Sequence, residues 1–358
     1  MNETTKKPLL DWKAVVGIIV SIALLWWAFH DIDFHEVMAE IRLADPWLYF
    51  FSVVLATAIF WLRAWRWGPL VKPLAGETRF DSRLRATMIG FMGNNVLPAR
   101  IGEFARAYAF SRMERASVVG SFGSLVLERL FDGVAVISML FLATLMPSFP
   151  DVSEIGGRDL SGVVRGVTII IGTLIIACFA LILFPKKTVA AFENSIARLL
   201  PRSFRRPIVD GLEALLASLG ALRSPGIVVL VGAQTVVLWL FNALGFYVAL
   251  LAFGIDVPFS AAVFLQSAIA LGVSVPSGPG FFGPWEIAAK AVLVGMFAVP
   301  ESKALAFATA FHIGGFIPVT VIGLWFAYRL GISLKDVEKS EAAVESAVEA
   351  EVHPWDRG

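Results

Sequence analysis

Apolar residues in this chain do not alternate with polar ones; they gather into long blocks separated by short charged segments. A helix rising ~1.5 Å per residue needs roughly 20 such residues to cross ~30 Å of hydrocarbon. By that measure six helical spans are predicted, over about 13–29, 46–65, 117–146, 163–184, 226–253 and 303–330. The first is short, but Trp12 at one end and Trp26 and Trp27 at the other are placed like interfacial belts, and no small-residue cleavage site follows. It reads as a retained helix.

Lys and Arg in the short loops set the orientation. Lys6 and Lys7 precede the first span, and the next loop is acidic, with Asp31, Asp33, Glu36, Glu40 and Asp45 against Arg42. The N-terminus is therefore expected on the cytoplasmic side. Arg63, Arg66, Lys72, Arg79, Arg83 and Arg85 return the chain there after the second span, and Asp151, Glu154 and Asp159 put the 147–162 loop outside. Lys186, Lys187, Arg198, Arg202, Arg205 and Arg206, and later Arg329 and Lys335, call for the inside again.

Two stretches break the pattern. "GFMGNNVLPARIGEFARAY" (90–108) places Asn94, Asn95, Pro98, Arg100, Gly102, Glu103 and Arg106 in an apolar run. Arg83 and Arg85 before it and Arg112 and Arg115 after it demand one side, so the segment should enter the membrane and return. Pro98 removes a backbone donor and disfavours helix at Leu97, which predicts two half-helices with a break near 94–98. Asn94 and Asn95 are suited to the backbone groups freed there. "LGVSVPSGPGFFGPWEIAAKAVLVGMF" (271–297) repeats the design, broken by Pro276, Gly278, Pro279, Gly280, Gly283 and Pro284. Its G-x-G-x-x-G spacing lacks the strand before and the soluble βαβ context after that a dinucleotide site needs. A glycine turn fits better, with Pro284 opening a helix and Glu286 in its first turn.

The order span, broken hairpin, span thus occurs twice, at about 46–146 and about 226–330, starting from opposite sides. Inverted-repeat transporters show this pattern and place their substrate sites at the interruptions. The expected architecture is an all-α polytopic membrane protein: one transmembrane domain over 1–330, with an N-terminal helix, two inverted repeats, and between them one extra span and an amphipathic cytoplasmic linker over 186–223. The acidic tail over 331–358 reads as disordered or as a loose helix.

Charges inside the blocks carry the chemistry. Glu128 lies eleven residues beyond Ser117, so it sits roughly 16 Å deep, with Asp132 one turn on along the same face. Each costs on the order of 2.5 to 3.5 kcal/mol at that depth unless it meets a cation or water. Arg129, Arg100 and Arg106 are the candidate partners. Glu103 with Arg106, and Glu286 with Lys290, share helical faces in the favourable acid-first order. Two readings stay open: structural ion pairs between hairpin and helix, or a path for an ionic substrate. His312, beside Gly314 and Gly315, is either a packing histidine or a proton relay.

Composition narrows the class. With 57% hydrophobic and 16% charged residues the chain is an integral membrane protein, and a net charge of +1 gives no nucleic-acid footprint. Cys178 stands alone, so no disulfide or cysteine metal site is available. No Walker A, H-E-x-x-H or G-x-S-x-G sequence occurs, so neither ATP hydrolysis nor those hydrolytic chemistries are expected.

The motifs "NNVLPARIGEFARAY", "ERLFDG" and "PSGPGFFGPWE" resemble the lysylphosphatidylglycerol synthase transmembrane family, also described as flippase-like, over roughly 10–330. The family's P-x-x-x-G-E matches Pro98, Gly102 and Glu103, its E-R-x-x-D matches Glu128, Arg129 and Asp132, and its second Pro/Gly motif matches 276–286. The resemblance implies a multi-pass protein of a bacterial or archaeal cytoplasmic membrane that moves phospholipids or lipid-linked molecules between leaflets. The soluble aminoacyl-transferase half of the best-known members is not in this sequence. The expectation is a non-enzymatic transporter of an anionic lipid headgroup, without cofactor or metal, lined by Asn94, Asn95, Arg100, Glu103, Arg106, Glu128, Arg129, Asp132, Glu286 and Lys290. Self-association is left open. The rivals are a membrane-embedded enzyme acting on a lipid or isoprenoid phosphate, and a non-transporting partner of a lipid-modifying enzyme.

Overall fold

The computed structural model describes residues 12–30, 32–97, 101–114, 116–149, 169, 172–173, 187, 224–274 and 277–352. The predicted span over 163–184 and the linker over 186–223 lie outside the described residues, isolated positions apart, as do Pro98, Arg100 and Pro276. The described chain is all helical. Helices α1 (Trp12–Phe29), α2 (Phe34–Leu43), α3 (Pro46–Ala75), α4 (Phe80–Val96), α5 (Gly102–Glu114) and α6 (Val118–Thr144) make up the first part. The second part holds α7 (Pro225–Ala252), α8 (Phe259–Gly272), a 3-10 turn (Pro279–Phe281), α9 (Pro284–Phe297), α10 (Glu301–Arg329) and α11 (Leu334–Val352).

Among the described helices, α3, α7 and α10 are long and apolar enough to cross a membrane, with 30, 28 and 29 residues. Their outward faces carry Phe50, Val54 and Trp61, then Val229, Val236 and Val237, then Ile317, Val321 and Trp325. Apolar rows of this extent belong against lipid. Helix α6 has the length, at 27 residues, but carries Glu128, Arg129 and Asp132 near its middle.

Three expectations need correction. The acidic stretch after the first span is not a loop but helix α2, opened by Asp33, whose carboxylate accepts the His35 N–H at 2.7 Å. The span expected to end at 65 starts behind the Asp45 cap and runs on to Ala75, continuing through Pro69 and Pro73 to a C-cap at Gly76. Arg63 and Arg66, counted above as loop charges, therefore lie on α3. The tail forms α11, where Ser333 and Asp336 exchange hydrogen bonds in a capping box and Val337, Ser340 and Val344 are buried. It packs against α5 and α6, so its apolar stripe is a docking face.

Both broken stretches fold back on themselves. Helix α5 lies against α4 so closely that a Cβ on Gly102 would sit 2.0 Å from the Gly90 carbonyl oxygen. Helix α9 returns along α8, with Gly272 against Ala288. The second break turns through Gly280 (φ 71°) and Gly283 (φ 98°), a region that favours glycine. One buried cluster joins the α4/α5 hairpin to α3 and α6, and another joins α8/α9 to α1, α2, α7 and α10. A third, with Ile59, Met88, Met139, Leu238 and Val319, forms the seam between them.

The close approach at Gly102 sets a test. Gly102→Ala should destabilise the protein by about 1 to 3 kcal/mol or more through overpacking. Gly232→Ala, where a Cβ would meet nothing within 4 Å, should be neutral or slightly stabilising. Thermal unfolding of both variants in detergent checks the contrast.

Candidate functional site

The middle of the molecule is organised by the three charges of α6. Asp132 receives both terminal nitrogens of Arg66 from α3, at 2.5 and 3.1 Å, and the indole N–H of Trp239 from α7 at 3.0 Å. Glu128, one turn earlier, is gripped side-on by Arg106 of α5 at 2.8 and 3.0 Å, and Arg66 lies 3.3 Å from its other face. Arg66 is thus the bridge between the two carboxylates, and Thr235 accepts a further bond from it at 3.1 Å. Arg66, Arg106 and Glu128 are fully buried. The Arg106 guanidinium also lies 4.1 Å from the ring centre of Trp67, whose N–H is held by Ser124. Every strong acceptor in this group meets two or more donors, which is the condition for keeping charge out of water.

In front of these pairs opens a cavity of about 480 Å3. Its polar lining comes from both halves: Arg63 of α3, Asn94 and Asn95 of α4, Glu103 of α5, Arg129 and Asp132 of α6, Asn242 of α7, Gln266 of α8 and His312 of α10. Phe60, Phe91, Trp239, Trp285 and Phe316 supply apolar walls. Arg129 is only half-buried; it reaches Glu128 at 3.0 Å, Asp132 at 3.5 Å and Glu103 at 3.7 Å. Arg63 approaches Asp132 at 3.5 Å, yet its Nε and Nη1 make no hydrogen bond among the described residues. The indole N–H of Trp285 is likewise without one.

The two breaks meet here, since α4 packs against the 279–281 turn and Asn94, Asn95, Gly280 and Phe281 line one cavity. Asn94 accepts the Gly102 N–H at 2.9 Å, which satisfies the start of α5. Asn95 turns away from the break it belongs to, and donates to Thr320 at 2.9 Å and to the Phe316 carbonyl of α10 at 3.4 Å. Across the cavity Glu286 accepts the Gly283 N–H at 2.7 Å and faces His312 Nδ1 at 2.7 Å. The starts of both half-helices are therefore satisfied from within the protein, and an incoming anion would be met by arginines.

The expected residues separate into groups. Glu103, Arg129, Asp132, Asn94 and Asn95 line the cavity; Glu128 and Arg106 stand behind them as buried supports. The pairing of Glu286 with Lys290 is not formed. Glu286 turns to His312 and the Gly283 amide, while Lys290 donates to the Ala28 carbonyl at the end of α1 at 3.0 Å and pairs with Glu301. Gly278 and Gly283 do serve the break, but as contact points with α1: Ser21 Oγ accepts the Gly278 N–H at 2.8 Å. The sequence reading missed Arg63, Arg66 and Trp239. The signal was there in the spacing, because Arg63 and Arg66 lie three apart, about one helical turn, at the end of the predicted span with no proline between them.

Two outcomes follow from this geometry. Arg106→Gln should cost roughly 3 to 5 kcal/mol, because it leaves a carboxylate buried with fewer partners, and Glu128→Gln in the same chain should recover much of that. Thermal unfolding of the single and double variants measures both. Cysteines at Asn95 and Phe281, in a Cys178→Ala background, should be joined by a short bifunctional reagent; consistent failure at neighbouring positions in folded protein would separate the breaks.

Comparison with known proteins places the chain among membrane proteins. The family model described as the lysylphosphatidylglycerol synthase TM region matches residues 14–323. Glycosyltransferase AglD of Haloferax volcanii is 26% identical over 356 residues, which cover 92% of this chain and 56% of that protein. The chain thus spans little more than half the length of AglD. A UPF0104 membrane protein of Methanothermobacter thermautotrophicus is 21% identical over 324 residues, covering 87% of this chain and 91% of the relative. Another from Methanocaldococcus jannaschii is 25% identical over 248 residues, covering 69% and 98%. No solved structure matches the chain. With most of its length inside that family model, the chain belongs to the lysylphosphatidylglycerol synthase TM region family of multi-pass membrane proteins.

Proposed function

We propose that the protein moves an anionic lipid, or a lipid-linked headgroup, between the leaflets of a membrane without changing it chemically. One observation carries the reading. Around the cavity four guanidinium groups, Arg63, Arg66, Arg106 and Arg129, face three carboxylates, Glu103, Glu128 and Asp132. The cluster holds one cation in excess, and among the buried donors left without a hydrogen bond are those of Arg63, Arg129 and Trp285, three residues that border the cavity. A site with spare donors and spare positive charge suits a phosphate, whose oxygens accept such bonds. The cavity volume suits a headgroup, while the acyl chains stay against the apolar outer faces of α3, α7 and α10.

The helical hairpins are read as re-entrant, related as inverted repeats, with both termini on the cytoplasmic side as the loop charges require. The shared cavity at both breaks supports this arrangement. The name of AglD, a glycosyltransferase, adds sugars to the substituents the headgroup could carry.

Purified protein in liposomes with a fluorescent phosphatidylglycerol, followed by reduction of the outer-leaflet label, tests the proposal. Exchange should be faster than in empty vesicles, and mass spectrometry should recover the lipid unaltered. Arg63→Gln and Arg129→Gln should each slow exchange about tenfold or more, the size of a lost charged hydrogen bond of ~1.5 to 3 kcal/mol, with little change in unfolding temperature. Wild-type protein that exchanges no faster than empty vesicles, or a chemically altered lipid, would overturn it.

A further inference from the structure

His312 on α10 sits between two acceptors. Its Nδ1 faces the Glu286 carboxyl at 2.7 Å and its Nε2 faces the Gly280 carbonyl oxygen at 2.9 Å. A carbonyl oxygen can only accept, so Nε2 carries a hydrogen. The 2.7 Å contact between Nδ1 and Glu286 has room for one further hydrogen, the other carboxyl oxygen being taken by the Gly283 N–H. With a hydrogen in each contact the acid and the imidazole would hold two protons and be neutral as a pair. Both are buried, and the ring is stacked on Trp285 with centres 4.5 Å apart and lies against Phe282 at the same separation.

We propose that Glu286 and His312 form a proton-operated latch on the second break, which couples proton binding to entry of an anion. If one proton leaves to cavity water, the imidazole keeps a single N–H. The carboxylate is the stronger acceptor and retains it, so a bare Nε2 lone pair then faces the Gly280 oxygen. That contact becomes repulsive, and the turn over 279–283 loses its tie to α10. The turn is under backbone tension there: Phe281 is held at φ 62°, a conformation unfavourable for any residue with a side chain. Release also places a net negative charge beside the cavity, where an anionic guest would be repelled. Proton and anion are thus bound together, and each must raise the affinity for the other.

The charged surroundings leave this pair isolated enough to act. Across the cavity Arg63 of α3, Glu103 of α5 and Arg129 and Asp132 of α6 face it. On α9 Lys290 is turned away to Ala28 and Glu301. Tyr49 of α3 donates to the Ala310 carbonyl of α10, and Lys303 and Glu40 pair with each other between α10 and α2. Helices α1, α4, α7 and α8 present Ser21, Asn95, Asn242 and Gln266 to this region, none of which titrates.

The test reads proton and break directly and does not depend on transport. In nanodiscs of phosphatidylcholine, nitrogen NMR follows His312 in protein whose His30, His35 and His353 are replaced by Gln. Hydrogen exchange of the 277–283 amides, corrected for the intrinsic effect of pH, follows the break. Between about pH 5 and about pH 9 the ring should lose one proton, and exchange of the break should rise about tenfold or more in step. Glu286→Gln leaves a neutral imidazole that still donates to Gly280, so the break should stay protected and insensitive to pH. Loss of the proton without change in the break, or no proton loss across this range, would overturn the latch. The coupling to an anion rests on the function proposed above. Replacing part of the phosphatidylcholine by phosphatidylglycerol should move the transition to higher pH. A latch that titrates without that shift would count against an anionic guest, while leaving the proton site standing.

Discussion

Everything near the centre of this protein depends on Arg66 being able to meet two carboxylates at once. Glu128 and Asp132 stand one turn apart on α6, both buried and close enough to repel each other. A guanidinium presents several donors in a rigid plane, so one residue of α3 bonds Asp132 through two nitrogens and lies 3.3 Å from Glu128. Lysine, a single point of charge, would lose the two-nitrogen grip on Asp132. The pairing fixes α3 against α6, and Arg106, bonded to the same Glu128, fixes the first hairpin to both. The hairpin is thereby placed by charge as well as by the glycine contact between Gly90 and Gly102.

With those pairs in place, α10 becomes the post on which both breaks hang. His312 holds the Gly280 carbonyl, and one to two turns further along the Phe316 carbonyl and Thr320 hydroxyl hold Asn95. Small residues make the approach possible: a side chain at Gly314 would collide with Tyr49 and Val53, and one at Gly323 with Met92. A side chain that binds an anion at the cavity therefore acts next to both breaks. Coupling over this distance needs no long relay, only the handful of hydrogen bonds that tie two turns to one helix.

Much of this was legible in the sequence, and the failures share a cause. The long spans, both interruptions, the glycine turn before Pro284 and the α6 acids follow from composition and spacing, which are local properties. The partners of those acids do not. Arg63 and Arg66 sit past the apolar core of their span, where counting charges assigns them to a loop; only the tertiary contact with α6 shows that the helix continues and turns them inward. Glu286 was matched with Lys290 because they share a face, whereas a histidine 26 residues away offers a closer contact and Lys290 finds an uncapped carbonyl on α1. The tail read as disordered or as a loose helix, and three residues at helical spacing, Val337, Ser340 and Val344, fix the helical alternative once α5 and α6 supply a surface.

The division of the charged residues into two kinds would let one cluster serve both stability and the proposed transport. Fully buried groups whose terminal nitrogens or carboxylate oxygens are engaged, Arg66, Arg106 and Glu128, are fixed, because any movement strands a buried charge. Groups at the cavity edge, Arg63 and Arg129, keep contacts of 3.5 Å to Asp132 that a better acceptor can replace. An anion arriving there need not break the supporting pairs; it completes a set that already has one positive charge too many. The proposed latch extends the same electrostatic balance to the second break, since a neutral Glu286 and His312 pair would tolerate an anion that an ionised one would expel. Charge conservation in a poorly hydrated space, more than any single contact, is what would make lipid and proton move as one.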